Sequence, residues 1–548
     1  MPTNQFPEKV LDFFKKIGVP VPTQSIEEIQ RLRLSFRNET DLYKRKCDKT
    51  GKNIITNYPP SSPYKIYDRE VWWSDCWNAL DYGQNYDFSK NFFEQFSELE
   101  KKVPKANIYV VESENSTYTN YASHNKNCYL LFGSWFNEDC LYGNTYYHSI
   151  SCVDCHFINK CQFCYQCVDC NECYEVFYGQ NCQNSMSSWY MFDCKRCDNC
   201  IGCWNLRGKK YYILNKQATK QEFEETLDKI QNSYDYAQEF LKKFREKVLE
   251  NAIHKSIIGE NNENVAGNFI YNSKNVVNSF NIQKSEDIYY SDRTEEEKDQ
   301  CFCSGVHKGE LAYNSLSVDF SYNIICCWNG EHHTNTAYCV DCYTIKNCFG
   351  CVGLRQKEYC ILNKQYSKEE YEELVPKIID QMKKNNEFGN FFPISMNPFY
   401  FNKSVATIFY PLTKEEALKK GYKWKEDTDE KLNVEKTIPA NLLPQNIKEI
   451  PDDVLNWAIL PVDMSYQGIS TNRPFIITKL ELDFYRKYKL HLPRLHPDER
   501  YQNRFQLRTS RTIWTRHCLK CNKEIQSTYS PQNSEKVYCE DCYLREIA

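Results

Sequence analysis

Four cysteines near the C-terminus have the spacing of a paired metal knuckle: Cys518-x2-Cys521, seventeen residues, then Cys539-x2-Cys542. Two residues between thiols let one tight turn present both sulfurs to the same point. Two such turns complete a tetrahedron of thiolates. The chemistry expected is a zinc ribbon holding one structural zinc ion. Four protein ligands leave no position for water, and the metal supplies folding energy to a module too small for its own core. A second constellation, CCWNGEHH, offers Cys326, Cys327, His332 and His333 as a possible second metal site, with a solvated loop as the alternative.

Most other cysteines follow a different rule. The chain has 29, an odd number that argues against a complete disulfide set. Between Cys128 and Cys203 there are fourteen, at 128, 140, 152, 155, 161, 164, 167, 170, 173, 182, 194, 197, 200 and 203, each a multiple of three from Cys128. The same frame holds Leu131, Ser134, Gly143, Ile158, Val176, Gly179, Ser185, Ser188 and Met191, and no charge before Lys209. A second segment keeps the frame with fewer thiols, from Gly267 through Ile270, Ser273, Val276 and Ser279 to Cys348 and Cys351, broken only near Glu297 and Gln300. Isoleucine cannot replace a metal ligand, but it can replace a core residue. The thiols therefore read as small buried side chains. Metal bound within the ladder, or disulfides along it, are the rival readings.

A period of three is neither helical nor that of an ordinary strand. With cysteines also recurring every twelve residues, it predicts narrow β-solenoids of about 12 residues per coil, four of them inward. The fold class expected is mainly β with α: two duplicated solenoids with flanking helices, plus terminal zinc-ribbon-like modules. An outward column, Tyr129, Leu141, Val153, Tyr165, Phe177, Trp189 and Ile201, forms an apolar stripe that a helix or a partner must cover.

Two internal duplications support this layout. CIGCWNLRGKKYYILNKQATKQEF from Cys200 matches CFGCVGLRQKEYCILNKQYSKEEY from Cys348 at an offset of 148. The segment from Arg33 matches that from Arg504 at an offset of 471, pairing Arg33, Arg37, Arg45, Cys47, Lys52, Ile54, Tyr58, Pro60, Lys65 and Tyr67 with identical residues. The N-terminal copy keeps only Cys47; Thr50, Asp68 and Val71 stand at the other three ligand positions. It reads as a ribbon without metal, packed on the aromatic run VWWSDCWNALDYG, with Cys76 too far out of register to serve as a ligand.

The net charge is −4, with basic residues concentrated toward the C-terminus. Arg473 to Lys523 holds thirteen Lys or Arg against four Asp or Glu, with aromatics interleaved. This pattern suits phosphate contact and base stacking, by Arg504, Arg508, Arg511, Arg516, Lys520 and Trp514. A basic face that pairs with the protein's own acids is the alternative. No stretch of eighteen apolar residues exists, so no membrane partner is expected, and reduced thiols suit the cytoplasm. P-loop, nucleophile-elbow, zincin and dinucleotide signatures are absent, and no catalytic residue is assigned.

The stretches FRNE-x2-LYKRKCDKTGK, DYGQNYDFSKNFFEQF, CFGCVGLRQKEYCILNKQYSKEEY, FGNFFPISMNPFYFNKSVA and CEDCY together resemble an uncharacterised family of cysteine-rich bacterial proteins with zinc-ribbon ends. The resemblance spans most of the chain and implies no catalytic residues. It implies an N-terminal ribbon with more cysteines than this chain has. The expected divisions are a degenerate ribbon with helices (1–105), a solenoid with its helix (106–255), a second solenoid with its helix (256–390), a mixed α/β linker (391–472) and the basic zinc ribbon (473–548). The two ribbons are expected to pack on each other. The function expected is a non-enzymatic, zinc-containing scaffold that binds protein or nucleic acid; the alternative is a metal-handling or thiol-redox protein.

Overall fold

The period of three appears directly in the backbone. In the computed structural model, every third residue from Glu112 to Leu214 has a positive φ, between 41° and 67°. Asparagine, aspartate and glycine tolerate this left-handed region best, and they hold many of these corners, including Asn115, Asn127, Asp139, Asp154, Asp169, Asn181 and Asn205. Elsewhere the corner is Tyr118, Phe136 or Leu130, at a cost of about 1–2 kcal/mol each. Parallel pairing offsets that cost. Strands pair in sequence order with a register of twelve: Ala122 with Ser134, Leu131 with Gly143, Asn144 with His156, Val176 with Ser188 and Asp198 with Lys210. Single bridges between the strands keep the same step, as in Glu114–Lys126–Glu138 and Val153–Tyr165–Phe177.

The structure describes residues 6–305, 310–313, 315–316, 318–319, 322–325, 328–426, 434, 436–461 and 473–547. Within them the protein is mixed α/β, with twelve helices and two large sheets. The first sheet has eleven strands from Val110–Val111 to Lys216–Gln217. Two helices follow, Lys220–Asn232 and Tyr234–Asn251; Thr219 opens the first with a capping box to Glu222. The second sheet has thirteen strands from Gly259–Glu260 to Lys364–Gln365, followed by the helix Lys368–Lys384, which a Ser367–Glu370 capping box starts.

The second sheet begins with a step of eleven, Gly259 to Ile270 and Val265 to Val276, then changes to twelve at Gly267–Ser279. Gly267 makes that shift possible. Its φ is 153°, and a Cβ there would lie 1.9 Å from the Ser279 carbonyl oxygen.

The side chains between the rungs explain the cysteines and serines. An inward thiol donates to the carbonyl two residues back and to another nine ahead: Cys152 to Ile150 (3.4 Å) and Cys161 (3.4 Å). It can also accept. Cys155 Sγ receives the amide N–H of Cys167, twelve residues on, at 3.4 Å. Ser149, Ser273, Ser279 and Ser291 do the same for Cys161, Ser285, Ser291 and Cys303 at 2.9–3.2 Å. A small side chain with one donor and one acceptor thus satisfies amides the rungs leave unpaired. The thiols are more than volume filler. Larger residues also enter where space permits. Tyr146 lies inside because its neighbour is Gly143, whose Cβ would fall 2.2 Å from the phenol ring. Glu297 and Gln300, which break the apolar frame, point inward and share a hydrogen bond of 2.7 Å.

The terminal segments cross over. Residues from Phe6 to Val103 form one apolar cluster with the second sheet and with Tyr371 to Tyr422. Lys105, fully buried between Glu100 (3.1 Å) and Asp341 (3.2 Å), pins that contact. The apolar stripe of the first sheet, Leu141 to Ile201, is covered by Phe223, Phe240 and Phe244 of the helices that follow it, and by Leu482, Phe484 and Tyr485 from the C-terminal region. Tyr142 Oη donates to Glu481 at 2.7 Å and fixes the helix Lys479–Lys487 over it.

Candidate metal centre and the basic segment

The C-terminal module is a two-stranded hairpin, Trp514–His517 against Glu524–Ser527, then strand Lys536–Tyr538 and helix Glu540–Ile547. The hairpin turn is tied by Cys518 N–H to Lys523 C=O (2.8 Å) and Asn522 N–H to Cys518 C=O (2.9 Å), with Asn522 at φ 59°. Leu519 N–H reaches Val537 C=O (3.0 Å) and brings the second knuckle alongside. The sulfurs of Cys518, Cys521, Cys539 and Cys542 all lie within 4.8 Å of one another, and Cys521 and Cys539 are 3.7 Å apart. This is the only group of three or more metal-ligating side chains that converges so closely among the described residues. The local electrostatics favour an ion. Burial opposes ionisation of Cys518, but the backbone amides of Cys539, Cys521 and Lys520 lower its thiol to about 6. Burial and the three neighbouring thiols push Cys542 up to about 12. Four thiols so close cannot all ionise without a cation among them, and one would satisfy all four.

The N-terminal module repeats this hydrogen bonding with one of the four sulfurs, that of Cys47. Cys47 N–H bonds to Lys52 C=O (2.8 Å), Gly51 N–H to Cys47 C=O (2.9 Å), and Asp48 N–H to Ile66 C=O (2.9 Å). Where the other module has Cys539, Asp68 donates its N–H to Cys47 Sγ (3.2 Å), and its carboxylate caps the helix Arg69–Trp73 through Glu70 N–H. Trp72, at the position of Tyr543, is buried and donates to the Pro104 carbonyl at 2.9 Å. Trp77 packs on it, so the aromatic run does hold this module. Cys76 is exposed and bonds locally around Ser74.

The expectation that the two modules pack on each other is not met. They lie in separate apolar clusters. Each instead adds a parallel strand to the segment that leads into a large sheet: Ile66–Tyr67 beside Lys105–Ala106, and Lys536–Tyr538 beside Ile253–Lys255.

Three of the six basic-segment candidates are corrected. Arg504 is 1% exposed, pairs with Asp154 at 2.9 Å and donates to His156 Nδ1 at 3.1 Å. Arg508 pairs with Asp169 at 3.0 Å and donates to Asn281 at 2.8 Å. Arg511 pairs with Asp292 at 2.8 Å. These arginines run from the first sheet to the second and meet acids in both, so they cannot reach phosphate. Arg500, which the sequence did not single out, joins Asp154 and Glu481 at the same contact. The signal was present in Asp154 and Asp169, but nothing local shows that their corners face a distant helix. Arg516 is spent on the carbonyls of Tyr529, Ser530 and Glu535. Trp514 is half-buried on its strand, and Lys520 is exposed and paired with Glu546 at 2.5 Å.

Of the second metal constellation, Cys326 and Cys327 lie outside the described residues. His333 is not poised as a ligand. It occupies an inward ladder position, fully buried, with Nε2 2.8 Å from the Cys342 carbonyl nine residues ahead, the contact a thiol makes elsewhere. Burial holds its pKa low. His332 is exposed on the same strand.

The ladder thiols are buried, and burial pushes up Cys140, Cys152, Cys161, Cys167 and Cys194; Cys164 rises to about 12. Near the end of the first sheet, donation from Cys194 and Cys200 lowers Cys197, and the same contact raises Cys200. No helix of the described residues is long and apolar enough to cross a membrane. Comparison of the chain with protein-family models and with curated proteins returned no match, so the functional reading rests on the chain's own geometry.

Proposed function

We propose that this protein is a non-enzymatic scaffold built on two narrow β-solenoids and locked by one structural zinc ion at Cys518, Cys521, Cys539 and Cys542. The observation that carries this reading is the contrast between the two kinds of cysteine. The ladder thiols are each engaged by backbone carbonyls within the protein. The four C-terminal thiols converge on a single point. Zinc bound to sulfur at about 2.3 Å gives a tetrahedron with edges of about 3.8 Å, and the Cys521–Cys539 separation of 3.7 Å fits one such edge. The zinc would supply folding energy and no chemistry beyond it, because four thiolates fill its coordination shell.

The matching hydrogen bonds of the two terminal modules support an origin by duplication at the offset of 471. The helices before them, Ile26–Ser35 and Pro497–Phe505, keep the same offset and bury Arg33 and Arg504. The surface left for partners is the outer face of the rungs, where side chains stack at twelve-residue intervals into ladders such as Asn115–Asn127–Asp139 and Lys126–Glu138. Such a face offers a long, regular contact for a protein partner.

Elemental analysis of the purified protein tests this. About one zinc per chain, with the ladder thiols titrating only after unfolding, is the expected result. Several zinc or iron ions per chain, or ladder thiols that react in the native state, would favour the metal-handling or redox reading instead.

A further inference from the structure

The C-terminal arginines are consumed within the protein, but a second cluster of cations stands at the opposite end of the chain. The N-terminal hairpin, YKRKCDKTGKN from Tyr43 to Asn53, carries five cations and one acid. Its strands, Tyr43–Lys46 and Asn53–Thr56, form a two-stranded sheet whose outer edges pair with no other strand among the described residues. Lys44 and Lys46 alternate outward on one face, about 7 Å apart at the usual strand rise, and Lys49 and Lys52 are exposed in the turn. A shallow groove of about 460 Å³ runs along this face, lined by Lys44, Arg45, Lys46, Asn53, Ile54 and Ile55.

The neighbouring acids are already engaged. Asp41 holds Lys425 at 2.8 Å, Asp48 holds Arg45 at 2.8 Å, and Asp68 caps a helix while standing 3.8 Å from Lys52. Among the described residues, no carboxylate lies within ion-pair distance of Lys44, Lys46, Lys49 or, at the same module's edge, the exposed Lys65. The C-terminal hairpin has Thr515 and His517 where this one has Lys44 and Lys46, and its Lys520 is paired with Glu546. One hairpin has thus retained the thiols and the other presents unpaired ammonium groups.

We propose that the N-terminal hairpin binds a single strand of nucleic acid along its phosphodiester backbone. Lys44, Lys46 and Lys49 contact successive phosphates, Asn53 lies beside them as a polar contact, and the part-exposed Ile55, paired with Lys44 on the same face, packs on sugar. Flexible ammonium groups with no planar recognition partner neutralise charge without reading bases, so the binding is indifferent to sequence and sensitive to salt. An acidic protein tail would match the charge but not the regular spacing of phosphates, and is the alternative the experiment separates. This proposal is independent of the zinc assignment.

The test is fluorescence anisotropy of the full-length protein with a labelled mixed-sequence single-stranded oligonucleotide, across a salt series. Lys44→Glu/Lys46→Glu/Lys49→Glu should weaken binding about tenfold or more and flatten the slope of log K against log salt by about 2, at about 0.7 for each phosphate no longer neutralised. Lys520→Glu/Lys523→Glu should leave both within twofold. Thermal unfolding of the triple variant should match that of the parent, since all three side chains are exposed. No binding by the parent protein at low salt would overturn the proposal. So would an equal weakening in the C-terminal variant, or polyglutamate competing as well as an unlabelled oligonucleotide.

Discussion

The two terminal modules share a backbone and differ in what holds it. In the C-terminal one, four sulfurs converge beneath a hairpin whose own apolar cluster is small: Cys518, Ile525, Val537, Cys539, Cys542 and Tyr543 are its buried apolar residues. In the N-terminal one, Cys47, Ile54, Tyr58, Ile66, Tyr67, Trp72 and Trp77 belong to the largest core of the molecule. The turn hydrogen bonds match in both, so the knuckle does not need a metal to specify it. An ion held by the four thiols would substitute for burial where burial is scarce. A module embedded in a large core can lose its ligands, and one at the margin cannot.

The strongest test of that contrast removes the sulfurs. Cys518→Ser/Cys521→Ser should abolish metal binding and unfold residues 514–547, a loss on the scale of the about 10–16 kcal/mol attributed to structural zinc. Hydrogen exchange should show the module opening while residues 43–73 stay protected. Protection of both, or loss of both, would break the comparison. The converse experiment attacks the aromatic anchor. Trp72→Ala should cost about 3–5 kcal/mol, read by denaturant unfolding. At the matching position, Tyr543→Phe should cost only about 1 kcal/mol, since it removes a hydroxyl shared by Asp193 and Arg207 and leaves the ring in place.

The matched arginines offer a finer discrimination. Arg504→Met weakens the neutralisation of a fully buried carboxylate at Asp154 and should destabilise by about 3 kcal/mol. Arg33 has no acid within ion-pair distance among the described residues and meets the Ser315 carbonyl and Gln30. Burial lowers its pKa to about 10. Arg33→Met should therefore be near neutral by the same measurement.

A further difference is one of pH. His254, on the strand that pairs with the C-terminal module, is lowered to about 4 by burial and by Arg516. Its counterpart at the offset of 148 is Ala106, which does not titrate. With the folded pKa below the unfolded value, the native state binds fewer protons. The stabilisation is complete above about 6.5 and is lost as pH falls toward 4, by up to about 3 kcal/mol. His254→Phe should remove its share of that part of the stability profile measured by thermal melts; the slope that remains belongs chiefly to His156, His333, His491 and His496, which burial also lowers.

The sequence revealed the repeating parts of this architecture better than its long-range contacts. The twelve-residue step, the inward frame and the apolar stripe were readable because each is a property of neighbouring rungs, and Leu141, Val153 and Tyr165 fall into register as the spacing requires. The left-handed corners were less evident. Asn115, Asn127 and Asp139 hint at them, yet Tyr118 and Phe136 occupy the same geometry, because pairing on either side overrides intrinsic preference. The pairing of Arg504 with Asp154 or Arg508 with Asp169 left no trace in composition or period. Its partners lie more than three hundred positions apart, and a run of arginines flanked by aromatics looks the same on a surface as inside a seam. The four-thiol site was legible in full, since its ligand spacing is local.

The crossing-over of the termini has a consequence for synthesis. A ribosome completes the first sheet long before it makes Leu482, Phe484 and Tyr485, which shelter the stripe from Leu141 to Ile201. Until then the stripe is sheltered only by what is made earlier, the two helices that follow it and the apolar residues between Ala440 and Ile477, and the rest of it stays open to other apolar surfaces. Truncation just before Lys479 should therefore yield insoluble protein, although every rung of both sheets would still be encoded.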